Sequence, residues 1–257
     1  MDKLTEAQQD WDDFAADYYA GEQASQVPYV SAVITYLQQQ DLLPHQQQSL
    51  LDLGGGTGRF AVPLVRLGVK VAVADFSAAM LAILQQRRLE LAQPELLTFQ
   101  QTSWQALVKS GRKYPVVFMS MLPDVAPSDL AKIAQLATER FLIFRLVSVE
   151  DDFFTPLLNE LALPPERPEA NRALMAAYQQ QNLPDFAPWL AHDFNFATTE
   201  VLSTAEANDY LTTYPEMTAE KMALAHQRLQ AALVKQKLTV TERYCFRLLT
   251  TQRILKE

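Results

Sequence analysis

Residues 50–60 read LLDLGGGTGRF, and this stretch constrains the chain more than any other. Four of the seven glycines, Gly54, Gly55, Gly56 and Gly58, fall within five positions. They directly follow a short apolar run that contains the acid Asp52. Residues without a Cβ turn at no steric cost and admit close approach of other groups. Beyond the glycines, Phe60, Leu64 and Leu67 recur at helical spacing. The pattern predicts a strand, a glycine turn and a helix. The helix start should aim unpaired N–H groups at whatever occupies the turn.

A second unit follows at once. Residues 69–74 form a short, Val-rich run of the kind found in buried parallel strands, and the run ends at Asp75. An acid about 20 residues past a glycine turn is where nucleotide-binding αβ folds hold ribose hydroxyls. The dinucleotide fingerprint GxGxxG would need its third glycine at position 59, which is Arg59. The pattern present is DxGxGxG, from Asp52 through Gly54, Gly56 and Gly58. It resembles motif I of the class I S-adenosylmethionine-dependent methyltransferases. Asp75, Phe76 and Ser77, leading into Met80 and Leu81, resemble that family's second motif.

The resemblance implies S-adenosylmethionine as cofactor and a set of roles. The turn (Gly54, Gly55, Gly56, Gly58) would lie against the cofactor's amino-acid end and ribose. Asp52 would orient the turn or bond the cofactor's amino group. Asp75 would take the ribose hydroxyls, with Phe76 flanking the adenine. Met119 or Ser120 would face the methionine portion. The acid that the family often places after its third strand is replaced here by Gln101, Thr102, Ser103 and Trp104. Ser103 and Trp104 are therefore candidates for adenine contact. A leading helix over residues 3–19 brings Tyr18 and Tyr19 as further candidates, and docking of its aromatics on the core is an equally open reading.

Taken in order, apolar runs at residues 96–100, 116–119 and 141–147 add three more strands, with helical stripes between them. Five strand–helix alternations predict a doubly wound, Rossmann-like αβ sheet with its ligand at the strands' carboxyl ends. Family likeness extends this to seven mostly parallel strands, the last antiparallel. Residues 1–48 are read as helices capping the cofactor site, and 49–148 as the cofactor-binding core. Residues 149–193, rich in proline and aromatics, are read as a substrate-binding or lid insertion with helices at 154–161 and 169–181. Residues 194–257 are read as the completion of the same sheet. Ser203 and Glu206 are spaced as a capping box.

Charge and composition narrow the partners. The formal net charge is −8 with no basic stripe, which argues against nucleic acid. Nothing approaches a membrane-spanning run, and the acidic N-terminal residues have no apolar signal region. A single cysteine, Cys245, fits a reducing, cytoplasmic setting. The histidines, His45, His192 and His226, are too scattered for a metal motif, and no metal is expected. Residues 120–124, SMLPD, lack the [DNS]-P-P-[YFW] motif of adenine and glutamine amino-methyltransferases. No cysteine lies nearby to attack a pyrimidine. A small-molecule acceptor is the expectation, with the catalytic base unassigned; His192, Arg145 and Glu150 are comparable candidates. Two alternatives stay open: a non-catalytic S-adenosylmethionine-binding protein and an NAD-type oxidoreductase.

Overall fold

A computed structural model describes residues 3–45, 47–163 and 170–254. In chain order it has α1 (Lys3–Ala24), α2 (Tyr29–Gln39), β1 (Ser49–Leu53), α3 (Ala61–Arg66), β2 (Lys70–Asp75), α4 (Ala78–Leu89), β3 (Leu97–Gln101), α5 (Trp104–Lys109) and β4 (Tyr114–Ser120). There follow α6 (Leu130–Ala134), β5 (Ala137–Asp151), α7 (Phe154–Glu160), α8 (Ala170–Gln179), β6 (Leu190–Ser203), α9 (Thr204–Thr212), α10 (Ala219–Ala232) and β7 (Lys237–Gln252).

All seven strands form one mixed sheet in the order β3-β2-β1-β4-β5-β7-β6, with the last strand antiparallel. The pairs β1–β2, β2–β3, β1–β4 and β4–β5 are parallel. This is the doubly wound architecture that the strand–helix alternation predicts. The order reverses between β1 and β4, so a crevice opens at their carboxyl ends. Register then brings the relevant residues level: Leu53 pairs with Ala74, Asp75 with Gln101, and Asp52 with Phe118.

The central strands are apolar because both faces are covered. Leu50, Leu51, Val71, Val116, Val117 and Phe118 are fully buried, each contributing about 1.5–3 kcal/mol relative to exposure. In α2, Tyr29, Val33, Ile34 and Leu37 supply the buried stripe. Ser77 caps α4, its hydroxyl accepting from the Met80 N–H at 3.1 Å.

The chain divides into two compact units. The first comprises residues 1–145, 173–194 and 247–257, and the second 146–172 and 195–246. The division differs from the reading of 149–193 as one insertion: residues 173–194 group with the core, whereas 195–246 group with 146–172. The second unit has its own core, in which Phe154, Leu157 and Leu158 meet Ala207, Leu211, Ala225 and Leu229. Its helices are capped locally. Asp151 accepts from the Phe153 and Thr155 N–H groups, and the capping box forms, with the Ser203 N–H donating to Glu206 at 2.7 Å. Pro164, Pro165, Pro168 and Glu169, read as part of the insertion, lie outside the described residues.

Candidate functional site

Four of the parallel strands deliver side chains to one cavity of about 540 Å³ within the first unit. Leu53 and Gly54 come from the end of β1, and Ala74, Asp75 and Phe76 from the end of β2. Thr102, Ser103, Trp104 and Gln105 come from the turn after β3, and Leu122, Pro123 and Asp124 from the turn after β4. Leu4 and Ala7 of α1 complete the wall. The volume suits a nucleoside-sized ligand.

Three amides of the glycine turn are already engaged within the chain, although the sequence pattern suggests unpaired N–H groups there. The Gly54 N–H donates to the Ala74 carbonyl at 2.7 Å, Gly58 to the Gly55 carbonyl at 2.8 Å, and Gly56 to Asp75 Oδ2 at 2.9 Å. Helix α3 starts only at Ala61, after β1 has ended at Leu53 and the turn has closed on itself.

Asp75 links the turn to the next helix. Its Oδ2 holds Gly56, and its Oδ1 accepts from the Ser77 N–H at 2.9 Å. The residue is buried to 7% exposure, and that burial pushes its carboxyl above the ordinary range, with the N–H bonds from Ser77 and Gly56 acting against it. Each carboxylate oxygen has two acceptor sites, so capacity remains for donors in the cavity.

Asp52 lies beneath the turn, at 1% exposure, and does not line the cavity. A Cβ on Gly55 would stand 2.7 Å from its carboxyl, so this glycine is required for the acid to fit. Its Oδ1 has no hydrogen-bond partner among the described residues. Burial, then the charge of Asp75, pushes its carboxyl up to about 7, partly offset by the Ala61 N–H. The folded protein thus binds a proton that the unfolded chain has released above about pH 4. Stability from this group is fully present below that pH and is lost as pH rises through about 7. We expect the wild-type melting temperature to fall between pH 5 and 8. In Asp52→Asn the fall should be smaller, the difference reaching the order of a few kcal/mol at pH 8. Parallel melts across that range check this; superimposable pH slopes would refute it.

The other candidates divide clearly. Phe76, Ser103 and Trp104 line the cavity, although the Ser103 hydroxyl is occupied in capping α5, accepting from Ala106 N at 3.2 Å. Gln101, in place of an acid, donates from Nε2 to the Phe76 carbonyl at 3.2 Å. Met119 is buried at 1% exposure, and neither it nor Ser120 lines the cavity; Leu122, Pro123 and Asp124 form that wall. Tyr19 is also absent from the lining, and the Arg87 guanidinium stands 5.3 Å from its ring centre. The Arg59 guanidinium lies 4.7 Å over Tyr18. His192 stacks on Tyr36 at 4.1 Å, and Arg145 donates to the Leu122 carbonyl.

Helix α1 is tied down at two places that the sequence reading did not find. Asp12 Oδ1 accepts from Ser77 Oγ at 2.5 Å and from the Ala79 N–H at 3.0 Å, across the start of α4. Glu22 accepts from Thr57 Oγ1 at 2.6 Å and from Arg87 at 2.7 Å, with Arg59 at 3.6 Å. Arg59, standing where the dinucleotide pattern has glycine, is therefore neutralised by Glu22 and also donates to the Tyr29 hydroxyl.

Residues 50–139, from β1 to the start of β5, match the model of the methyltransferase domain family. This segment is similar to the methyltransferase domain that the family describes. The fold around it is that of the class I methyltransferases. Magnesium protoporphyrin IX methyltransferase from Synechocystis PCC 6803 with bound S-adenosylmethionine superposes with a TM-score of 0.53 at 16% identity. That match covers 98% of each chain. The same enzyme with bound S-adenosylhomocysteine gives 0.53 at 17% identity, covering 98% of this chain and 100% of the other. At such identities the likeness concerns fold. No curated protein matches the chain by sequence. Within the matched segment, the cavity occupies the carboxyl ends of β1 to β4.

Proposed function

We propose that the protein binds S-adenosylmethionine in this cavity and transfers its methyl group to a small-molecule acceptor by in-line displacement. The observation that carries the reading is the cavity's charge. Its described lining includes two carboxylates, Asp75 and Asp124, and no Lys or Arg, with Asp52 buried beneath. Such a site favours a cationic ligand and disfavours a pyrophosphate. The engagement of the Gly54, Gly56 and Gly58 amides acts in the same direction, since a dinucleotide's pyrophosphate needs free N–H donors at this place. Both observations oppose the NAD alternative.

The residues present fit the cofactor. Asp75 has acceptor capacity for ribose hydroxyls, Phe76 and Trp104 offer aromatic surface for a base, and a Cβ on Gly56 would meet only Met80 Sδ at 3.7 Å and Asp75 Oδ2 at 3.9 Å. Asp52, with Oδ1 unpartnered among the described residues, would orient the turn from beneath. The bound sulfonium brings its own activated methyl group. The chain's part is to hold it in line with the acceptor and to exclude water, and proximity supplies much of the rate. The net charge of −8 without a basic stripe supports a small acceptor over nucleic acid. One cysteine in the whole chain suits a reducing compartment such as the cytoplasm.

Calorimetric titration with S-adenosylmethionine, S-adenosylhomocysteine and NAD tests this directly. Binding of the two sulfur ligands without NAD is expected. Binding of NAD alone, or of none, would overturn the assignment. Binding with no turnover on any acceptor would favour the non-catalytic alternative.

A further inference from the structure

The wall that faces Gly54 is a loop with unusual demands on its backbone. Met121 and Asp124, neither of them glycine, have φ of +55°. Left-handed backbone at non-glycine residues persists only where the surroundings enforce it. Between them Leu122 lies over the glycine turn: a Cβ on Gly54 would come within 2.4 Å of Leu122 Cδ1. The position of this loop therefore decides how much of the cavity above Gly54 is open.

Three bonds enforce the loop. The Met121 N–H donates to the Phe144 carbonyl at 2.9 Å. Arg145, the next residue along β5, donates to the Leu122 carbonyl. Tyr178 of α8, fully buried, donates its hydroxyl to the Val125 carbonyl at 2.6 Å. The Arg145 and Tyr178 side chains meet backbone carbonyls on either side of Pro123 and Asp124, and neither side chain lines the cavity. Arg145 is itself buried to 9% exposure, an expensive place for a guanidinium unless it is used. A purely apolar residue would pack there at less cost.

We propose that Arg145 and Tyr178 are positioning residues for the cofactor cavity: together they clamp the loop after β4 so that Leu122 is held at its distance from Gly54. They act through the loop's carbonyls and touch no ligand. The proposal rests on the S-adenosylmethionine reading of the cavity.

The test uses the full chain and calorimetric titration with S-adenosylhomocysteine, alongside melts of each ligand-free variant. Tyr178→Phe keeps the ring and removes one hydroxyl, and is expected to weaken binding about tenfold. Arg145→Gln should weaken it by a similar factor, and Arg145→Lys, which keeps a charged donor, should recover part of the loss. In a Leu122→Ala background the effect of Tyr178→Phe should shrink to less than about twofold, because the wall it positions is gone. A merely structural role would lower the melting temperatures yet leave affinity at wild-type level in the folded variants, and that result overturns the proposal. Should the wild type itself fail to bind S-adenosylhomocysteine, the cofactor reading falls first and the clamp with it. Should Arg145→Gln fail to fold, the Tyr178→Phe and Leu122→Ala pair still decides.

Discussion

Asp75→Ala is expected to weaken S-adenosylhomocysteine binding by about 100-fold or more, and to lower the ligand-free melting temperature far less. A carboxylate that accepts a hydroxyl donor contributes about 1.5–3 kcal/mol per bond, and two ribose hydroxyls double that. The same side chain also shapes the site before any ligand arrives, through Oδ2 on the Gly56 N–H and Oδ1 on the Ser77 N–H. Its loss therefore removes ligand contacts and loosens the turn. Stability suffers less, because taking the charge out also removes the cost of burying it, which already holds this carboxyl above the ordinary range. Asp75→Asn should fall between the two, since one amide face would oppose an N–H donor. Calorimetry with parallel melts measures both effects. Affinity within threefold of wild type in Asp75→Ala would remove Asp75 from the ligand's contacts.

The second large effect is expected at Gly54. Its φ is +72°, and an added Cβ would lie 2.4, 3.2 and 3.3 Å from Cδ1, Cγ and Cβ of Leu122. Turning the Leu122 tip away relieves only the first of these contacts. The rest require its backbone to move, and Arg145 holds the carbonyl of that residue. Gly54→Ala should thus cost about 2–4 kcal/mol from left-handed strain and overpacking together. Affinity for S-adenosylhomocysteine should fall at least about 30-fold, the equivalent of 2 kcal/mol. Gly56→Ala is the control, for its φ is +50° and the nearest atom to the new Cβ is Met80 Sδ at 3.7 Å. Only the strain remains there, about 1 kcal/mol. Equal melting temperatures for the two variants would mean that the Leu122 wall yields freely.

The fold was legible because its signals are local. A Val-rich strand, a glycine turn and helical stripes each occupy about ten residues, and their alternation fixes a parallel sheet. Strand ends were less legible. The run 141–147 is only the apolar middle of β5, which extends over Ala137–Asp151. Most of its outer residues are polar, and ladder pairing carries no compositional mark. At the cavity, Gly54, Asp75 and Phe76 were reached from the two motifs, and Ser103 and Trp104 from the place of the acid that the resemblance leads one to expect. Met119 and Ser120, named for the methionine portion, are not in the lining of the cavity. The backbone turns left-handed at Met121 and Asp124 without a glycine to announce it, and Leu122 to Asp124 form the wall. Arg59 could be read from sequence only as a missing glycine. Its engagement with Glu22, Tyr18 and Tyr29 joins distant parts of the chain, which spacing rules do not connect.

The anchoring of α1 sets an order in which the chain can assemble. Asp12 and Glu22 leave the ribosome well before the groups they bind: Thr57 is 35 residues behind Glu22, and Ala79 is 67 behind Asp12. At roughly 5–20 residues per second, α1 waits seconds for its dock. Its exposed face carries Phe14, at 48% exposure even in the finished protein, and Trp11 and Tyr18 pack edge-on to that ring. During synthesis the helix is open to chaperones and to other nascent chains until α4 has been made, and the Phe14 edge stays open afterwards.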